Sequence, residues 1–422
     1  MSRPEPLAQG ERGQILILTA LMLTVLLGIT GLAIDVGYFF DYRQQMGAAA
    51  DAAAKAGAFE VGRNGTITQT QLERFARNGS MQNRFTHGVD GIMVTVNHPP
   101  TSGPFSGNAL FVEAIVEQQV PTFFARVLGK NTVNVGARAV AGLTSLPGCM
   151  VVLDPTFSSS YSANGSAHVT LPSCSVIVNS NASSYALSST NSATLSATAV
   201  SVGGASPGYN TSAGGMVTVT QAPYTVSLGA PAQADPLAYL IAPIPDTCAA
   251  HPSLETYGSG SRTISEGTYC GGMKVNGGGT TTMSAGLYII NGGQLSVANG
   301  STLNGTGVTI YNTGGATAIN FSSGAIVNLS APTTGSLAGV LLFQNRTLTQ
   351  NFVIANATPI RLNGALYFPA STVSFTGGTF SSIYTFLIAK RVSFSGGAAV
   401  TLNNDTSTLP GGSPLKTTGM SE

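Results

Sequence analysis

GLYIINGGQLSVANGSTLNGTGVTIYN, Gly286 to Asn312, decides the fold of the larger part of this chain. Two apolar tetrads, Leu287-Tyr288-Ile289-Ile290 and Val308-Thr309-Ile310-Tyr311, stand about one coil apart, with the shorter Leu295-Ser296-Val297 between them and Asn-Gly and Gly-Gly turns at the joints. The unit recurs as Val176-Ile177-Val178-Asn179 upstream. Downstream it returns as Val340-Leu341-Leu342-Phe343, Ala365-Leu366-Tyr367-Phe368 and Phe386-Leu387-Ile388-Ala389, with Val373-Ser374-Phe375 as a further minor strand. Short strands repeating at roughly 20 to 30 residues, none able to bury its inner face alone, predict a right-handed parallel β-helix. A β-sandwich is the alternative, because hairpin turns also use Asn-Gly.

The composition agrees with a large β region. Only 8% of the 422 residues are charged, and 52 glycines with many Ser, Thr and Asn take the places of Lys and Glu. With 18 basic and 17 acidic side chains there is no basic patch for a polyanion, so no nucleic-acid partner is expected. Gly203 to Pro236 is less regular, a loop excursion or linker, and DPLAYLIAPIPDTC (Asp235 to Cys248) carries prolines that favour an extended lid or strap over a strand in the stack.

Working toward the N-terminus, PTFFARVLG (Pro121 to Gly129) reads as a helix, with Pro at N1 and Gly at its end. It separates the alternating strands ALFVEAIVEQQV (Ala109 to Val120) and TVNVGARAVAGL (Thr132 to Leu143), which GIMVTVNH (Gly91 to His98) precedes. QLERFARNGSMQNRF (Gln71 to Phe85) reads as a short amphipathic helix. Together these form a small α+β module.

ILILTALMLTVLLGITGLAI (Ile15 to Ile34) has no charge and no proline, and its length matches about 30 Å of hydrocarbon. It predicts a single transmembrane helix, with Ile15, Leu18, Leu21, Leu23, Val25, Leu27, Ile29, Leu32 and Ile34 facing lipid. The Ala-rich stretch Asp35 to Gly62 continues that helix into water, where Ala48, Ala52 and Ala56 form a close-packing seam against the following sheet or, alternatively, a partner helix. Arg3 and Arg12 before the span and Arg43 and Lys55 after it leave the positive-inside count near a tie. Four cysteines form two local couples, Cys149 with Cys174 and Cys248 with Cys270. Two disulfides or four buried thiols both fit, and an oxidising compartment favours the first. The cysteines and the charge-poor tail together put the N-terminus in the cytoplasm, the span in the inner membrane and the bulk in the periplasm or cell exterior.

The stretch RGQILILTALMLTVLLGITGLAIDVGYFFDYRQQMGAAADAAAKAGA (Arg12 to Ala58) resembles the N-terminal segment of TadG-like proteins of the Flp, or tight-adherence, pilus-assembly system. Its RGQ start, its Gly-Leu-Ala-Ile-Asp-Val-Gly exit and its Ala-Ala-Asp-Ala-Ala run carry the likeness, and PTFFARVLG with its flanking strands extends it. CMVVLDP, LPSCSVIVNS, GTYCGGM and GALYFP match the tail pattern of such proteins. The resemblance implies a pilin-like α+β module and a structural or assembly role beside other pilus-assembly or minor pilin subunits. Related pilins carry a glutamate five residues after a processing glycine; counted from Gly13 that place holds Leu18, so processing into a fibre subunit is not expected.

The expected organisation is therefore 1–62 for tail, span and aqueous extension, 63–145 for the pilin-like module, 146–250 for an irregular first β region with linker, 251–410 for the β-helix-like domain and 411–422 for a flexible tail. Catalysis is not expected. Between Gly267 and Asn404 there is neither Asp nor Glu, so this stretch supplies no carboxylate pair for glycoside hydrolysis and no acidic calcium site. The histidines His87, His98, His168 and His251 share no ligand spacing. Asp154-Pro155-Thr156-Phe157-Ser158 has the D-x-T-x-S form of von Willebrand A metal-adhesion motifs, but no alternating helices follow it, and a turn capped by Asp154 is the expected use. No cofactor or metal is expected. Membrane lipid is an expected partner, and a glycan is the alternative ligand, through Ser/Thr/Asn-rich faces and scattered Tyr.

Overall fold

The computed structural model describes residues 12–63, 67–145, 148–314, 319–409 and 412–420. They form two compact units, Met1–Thr144 with Thr417–Glu422, and Ser145–Lys416.

The first unit begins with α1, Arg12–Arg63, one unbroken helix of 52 residues. From Ile15 to Ile34 it is apolar all round and exposed except at Gly31; its second half is amphipathic and buries Met46, Ala49, Ala50, Ala53, Ala54 and Ala58. This seam differs from the expected one. Ala48 is exposed and Ala52 and Ala56 are half-buried, because the sheet and the next helix meet α1 one position further round. Helix α2, Gln69–Gln82, starts at a capping box in which Thr68 and Gln71 satisfy each other's backbone N–H groups. It starts and stops earlier than expected, since Thr68 supplies that cap and Asn83 leaves helical geometry. At Gly79 it touches α1 so closely that a Cβ would lie 2.6 Å from the Ala52 carbonyl oxygen.

Strands β1 (Met93–Asn97), β2 (Phe111–Pro121) and β3 (Thr132–Ser145) form an antiparallel meander whose inward residues complete the same core. Within the stretch expected to be a flexible tail, a last strand, Lys416–Met420, instead returns to this sheet beside β3, whose edge offers it backbone partners. The expected helix over 121–129 is only a 3₁₀ turn, Ala125–Leu128, closed by Gly129 at φ 82°. Pro121 still belongs to β2 and Thr132 pairs with it, so too few residues remain for an α-helix.

The second unit is a parallel β-solenoid of about 11 turns. Each coil lays a strand on each of three faces. On the first face, which holds the apolar tetrads, Tyr269 lies beside Ile290, Ile290 beside Asn312 and Asn312 beside Gln344. Phe343 then lies beside Tyr367 and Tyr367 beside Ile388. The stack continues with Ile388 beside Val151, Val151 beside Ile177, Ile177 beside Ser201 and Ser201 beside Ser227. The order in space is thus not the order in sequence. The chain enters at mid-stack with Gly148–Val152, winds out to Ser227–Leu228, passes to the opposite end and winds back until Thr385–Ser395 docks on the coil it started from.

The tetrads read as continuous apolar runs because this face is buried on both sides, as parallel strands usually are. Coil interiors cover one side, where Phe352 stacks on Phe368 at 5.0 Å and Phe375 on Phe394 at 5.1 Å. On the other side, Leu237 and Leu240 of the returning segment and Leu409 and Leu415 near the end of the unit are buried. Corners between the first two faces need glycine. Gly271 and Gly272 sit at φ 93° and 90°, and a Cβ on Gly293 of the next coil would fall 1.8 Å from Gly271 backbone.

Candidate functional site

In the N-terminal half of α1, Ile15, Leu18, Leu21, Leu23, Val25, Leu27, Ile29, Leu32 and Ile34 are all exposed, between 48% and 65%. The hydroxyls in this stretch are satisfied within the helix: Thr19 donates to the Ile15 carbonyl at 2.7 Å, Thr24 to Leu21 at 2.8 Å and Thr30 to Leu26 at 2.7 Å. A helix that offers only apolar side chains and no unsatisfied hydroxyl is suited to hydrocarbon. It is long and apolar enough to cross a membrane.

Where the apolar run ends, Asp35 is buried and accepts three backbone N–H bonds from the turn after β2, from Phe123 and Phe124 at 2.9 Å and Ala125 at 2.7 Å. These donors are the otherwise unpaired N–H groups at the start of the 3₁₀ turn. Phe124 lies against Gly31, which has no side chain to obstruct it, and Tyr38 meets Phe123 edge-on at 5.2 Å. The turn is therefore fixed to α1 at its Gly31–Tyr38 level.

A second buried carboxylate, Glu113 on β2, organises the connection from β1. It accepts from Asn97 Nδ2 at 2.7 Å, Thr101 Oγ1 at 2.7 Å, Thr101 N–H at 3.1 Å, Ser102 Oγ at 3.1 Å and Arg138 Nε at 2.6 Å. Burial by itself would raise this carboxyl, but the hydrogen bonds from Thr101, Asn97 and Arg138 outweigh it and hold the group down at about 2. Asp35 and Glu113 both escaped the sequence reading; an acid beside an apolar span and an acid inside an alternating strand are the only signals they leave.

In the solenoid both cysteine couples are bonded, Cys149 to Cys174 and Cys248 to Cys270, each with Cα atoms 5.6 Å apart. The first joins neighbouring coils and the second ties the end of the strap to the stack. The segment with prolines is a strap, as its sequence predicts. Arg346 donates to the Leu237, Ala238 and Leu240 carbonyls at 3.0 to 3.2 Å and to the Tyr367 hydroxyl at 2.9 Å, and Tyr367 donates to Asp235 at 2.6 Å. The Arg346 guanidinium also lies over the Phe343 and Tyr367 rings.

Asp154 takes the turn role expected of it. It accepts from the Thr156 and Phe157 N–H groups and pairs with Arg391 at 2.9 Å, so its carboxyl is held below the usual range by those bonds despite burial. The histidines are dispersed: His87 accepts from Val94 N–H, and His98, His168 and His251 meet the Phe111 carbonyl, Thr194 and Glu255. Among the described residues no three His, Cys, Asp or Glu gather as a metal site. At the Ser227–Leu228 end of the stack, Tyr185, Ser206, Tyr209, Asn210, Ser212 and Leu228 line an open groove of about 500 Å³.

Residues 13–60 match the Flp pilus-assembly TadE/G-like family, and residues 40–141 match the Tad-like Flp pilus-assembly family. No curated protein and no solved structure matches the chain. The two matched stretches overlap on the aqueous half of α1 and together run through α2 and the β1–β3 meander. Over residues 13–141 the chain is similar to TadE/G-like Flp pilus-assembly proteins, and a β-solenoid follows the matched part.

Proposed function

We propose that this chain is a membrane-anchored structural component of a Tad-type pilus apparatus, with its N-terminus in the cytoplasm, its span in the inner membrane and its module and solenoid outside the cytoplasm. One observation carries the reading: within a single helix, an apolar span exposed along its length apart from the Gly31 contact runs without a break into the core of the Tad-matched region. Two disulfides support an oxidising compartment for the solenoid. The work of such a protein is scaffolding, through contacts with other pilus-assembly or minor pilin subunits. Deleting the gene should abolish piliation, and supplying the full-length chain should restore it; normal fibres in the deletion strain would overturn the proposal.

A second reading, a glycan-binding surface solenoid, draws on the groove of Tyr185 and Tyr209 with Asn210 and Ser212, since exposed aromatic faces beside hydroxyl and amide groups suit sugar rings. Binding of purified protein to a glycan array, lost in Tyr185→Ala and Tyr209→Ala, would favour it.

A further inference from the structure

Resting on the reading of α1 as a membrane anchor, we infer that the turn between β2 and β3 is a second membrane contact. Val127 and Leu128 insert among the lipids of the leaflet at the C-terminal end of the span, and Arg126 and Lys130 meet the phosphates above them.

The turn shows an unusual surface. Val127 is 83% exposed and Leu128 78%, beside the half-exposed rings of Phe123 and Phe124. Scattered surface apolar residues need no explanation, but four within six positions of one tight turn form a patch. What covers it follows from where it sits. Phe124 rests on Gly31, inside the apolar run, and Asp35 at the end of that run caps the same turn. At about 1.5 Å of rise per residue, Gly31 lies one helical turn below Asp35, so a bilayer holding Ile15–Ile34 reaches the level of the turn. Lipid is therefore the occupant the fold presents to these side chains.

Charge and aromatic residues are arranged to match. From Gln118 to Ala137 the chain has no Asp or Glu but has Arg126 and Lys130, both exposed at the turn. Beside the turn, Tyr38, Phe39 and the exposed Phe40 follow the span at the depth where aromatic side chains mark membrane interfaces. Val36, Phe39, Phe40 and Arg43 also line a groove of about 310 Å³ against Val133, Asn134 and Val135 on β3, mostly apolar with one amide and one cation, a lining suited to an acyl chain and its phosphate. The second contact fixes the rotation and tilt of α1, since a lone helix is free to turn about its axis and a helix with a side wedge is not.

The chain has no tryptophan, so one introduced residue reports alone. Full-length Leu128→Trp and Leu23→Trp proteins are reconstituted in phosphatidylcholine–phosphatidylglycerol vesicles containing phospholipid brominated either near the headgroup or near the acyl terminus. The expected result is blue-shifted Leu128→Trp emission lost to the headgroup-proximal bromine, and Leu23→Trp emission lost to the terminal bromine. If Leu23→Trp is quenched while Leu128→Trp is untouched by both lipids, the inference is overturned and the anchor stands. A blue shift at Leu128→Trp without quenching also overturns it, in favour of a protein partner or second copy on the turn. Loss of quenching at Leu23→Trp overturns the anchor and the inference together. Val127→Trp repeats the measurement should the first variant fail to fold.

Discussion

Met150 in the coil where the solenoid begins is the parallel strand partner of Leu387 in the coil where it ends. The seam so formed lies in the middle of the stack, and the strap carries the chain between the two far ends. Arg391 and Asp154, 237 residues apart, close the seam beside it. Leu387→Ala should cost about 2 to 5 kcal/mol, the usual cavity range for a fully buried leucine, read as a shift in the denaturant midpoint of the full-length protein. Amide protection should fall together in Gly148–Val152 and Thr385–Ser395, and protection lost in only one of them would contradict a shared seam.

Arg346 is the clasp of the strap. Three main-chain carbonyls converge on one guanidinium, so Arg346→Ala leaves them exposed to water only if the strap lifts. Limited proteolysis between residues 237 and 246 should accelerate several-fold in the variant, with a loss of about 1 to 3 kcal/mol in local opening free energy. Arg346→Lys restores a single charge without the fork and should recover part of the protection at most.

Glu113 makes the first unit sensitive to acid. Its carboxyl sits near 2 when folded against an ordinary value of 4.5, so the stabilisation from its ionised form is complete above pH 4.5 and is lost as pH falls from there toward 2. Glu113→Gln should flatten that part of the stability profile and lower stability at neutral pH by about 2 kcal/mol, because the amide replaces a charge-assisted bond from Arg138 with a weaker one. Thermal melts of the two proteins at pH 3 and pH 7 check both statements; an unchanged slope in Glu113→Gln would count against the assignment.

Much of this architecture was legible because local chemistry announces it. The span shows in twenty uncharged residues, the solenoid in tetrads whose two-sided burial suppresses alternation, the strap in its prolines and the disulfides in paired spacing. The order of coils in space was not legible, since parallel strands of similar composition carry no label saying which neighbour each must take, and nothing near Leu387 points to Met150. The helix expected at Pro121–Gly129 failed for a related reason: the hairpin pairing of Pro121 with Thr132 consumed residues that local signals assigned to it. The bonds of Asp35 to the turn span 88 to 90 residues, beyond the reach of any periodicity.

Asp35→Asn keeps the size of that cap and removes its charge. One amide oxygen must then serve donors that two carboxylate oxygens now share, so at least one N–H of Phe123, Phe124 and Ala125 loses its partner at a cost of about 1 to 2 kcal/mol. Hydrogen exchange in lipid nanodiscs should quicken at those three amides and leave β1 unaffected. Equal protection in both proteins would show that the turn holds itself against α1 without the carboxylate.

The two halves of α1 predict different outcomes for two truncations. Removing residues 2–62 as a dispensable anchor would also strip Met46, Ala49, Ala50, Ala53, Ala54 and Ala58 from the core of the first unit, leaving Leu72, Val94, Val112 and Val116 without their cover. That product should aggregate or bind hydrophobic dyes. Removing only residues 2–34 deletes the exposed apolar span and keeps Asp35 with its three bonds. This shorter cut should release a folded protein into the soluble fraction, with a cooperative melt and the Glu113-dependent acid transition intact. A soluble, cooperatively folded product from the longer cut would mean that the aqueous half of α1 is not part of the module core.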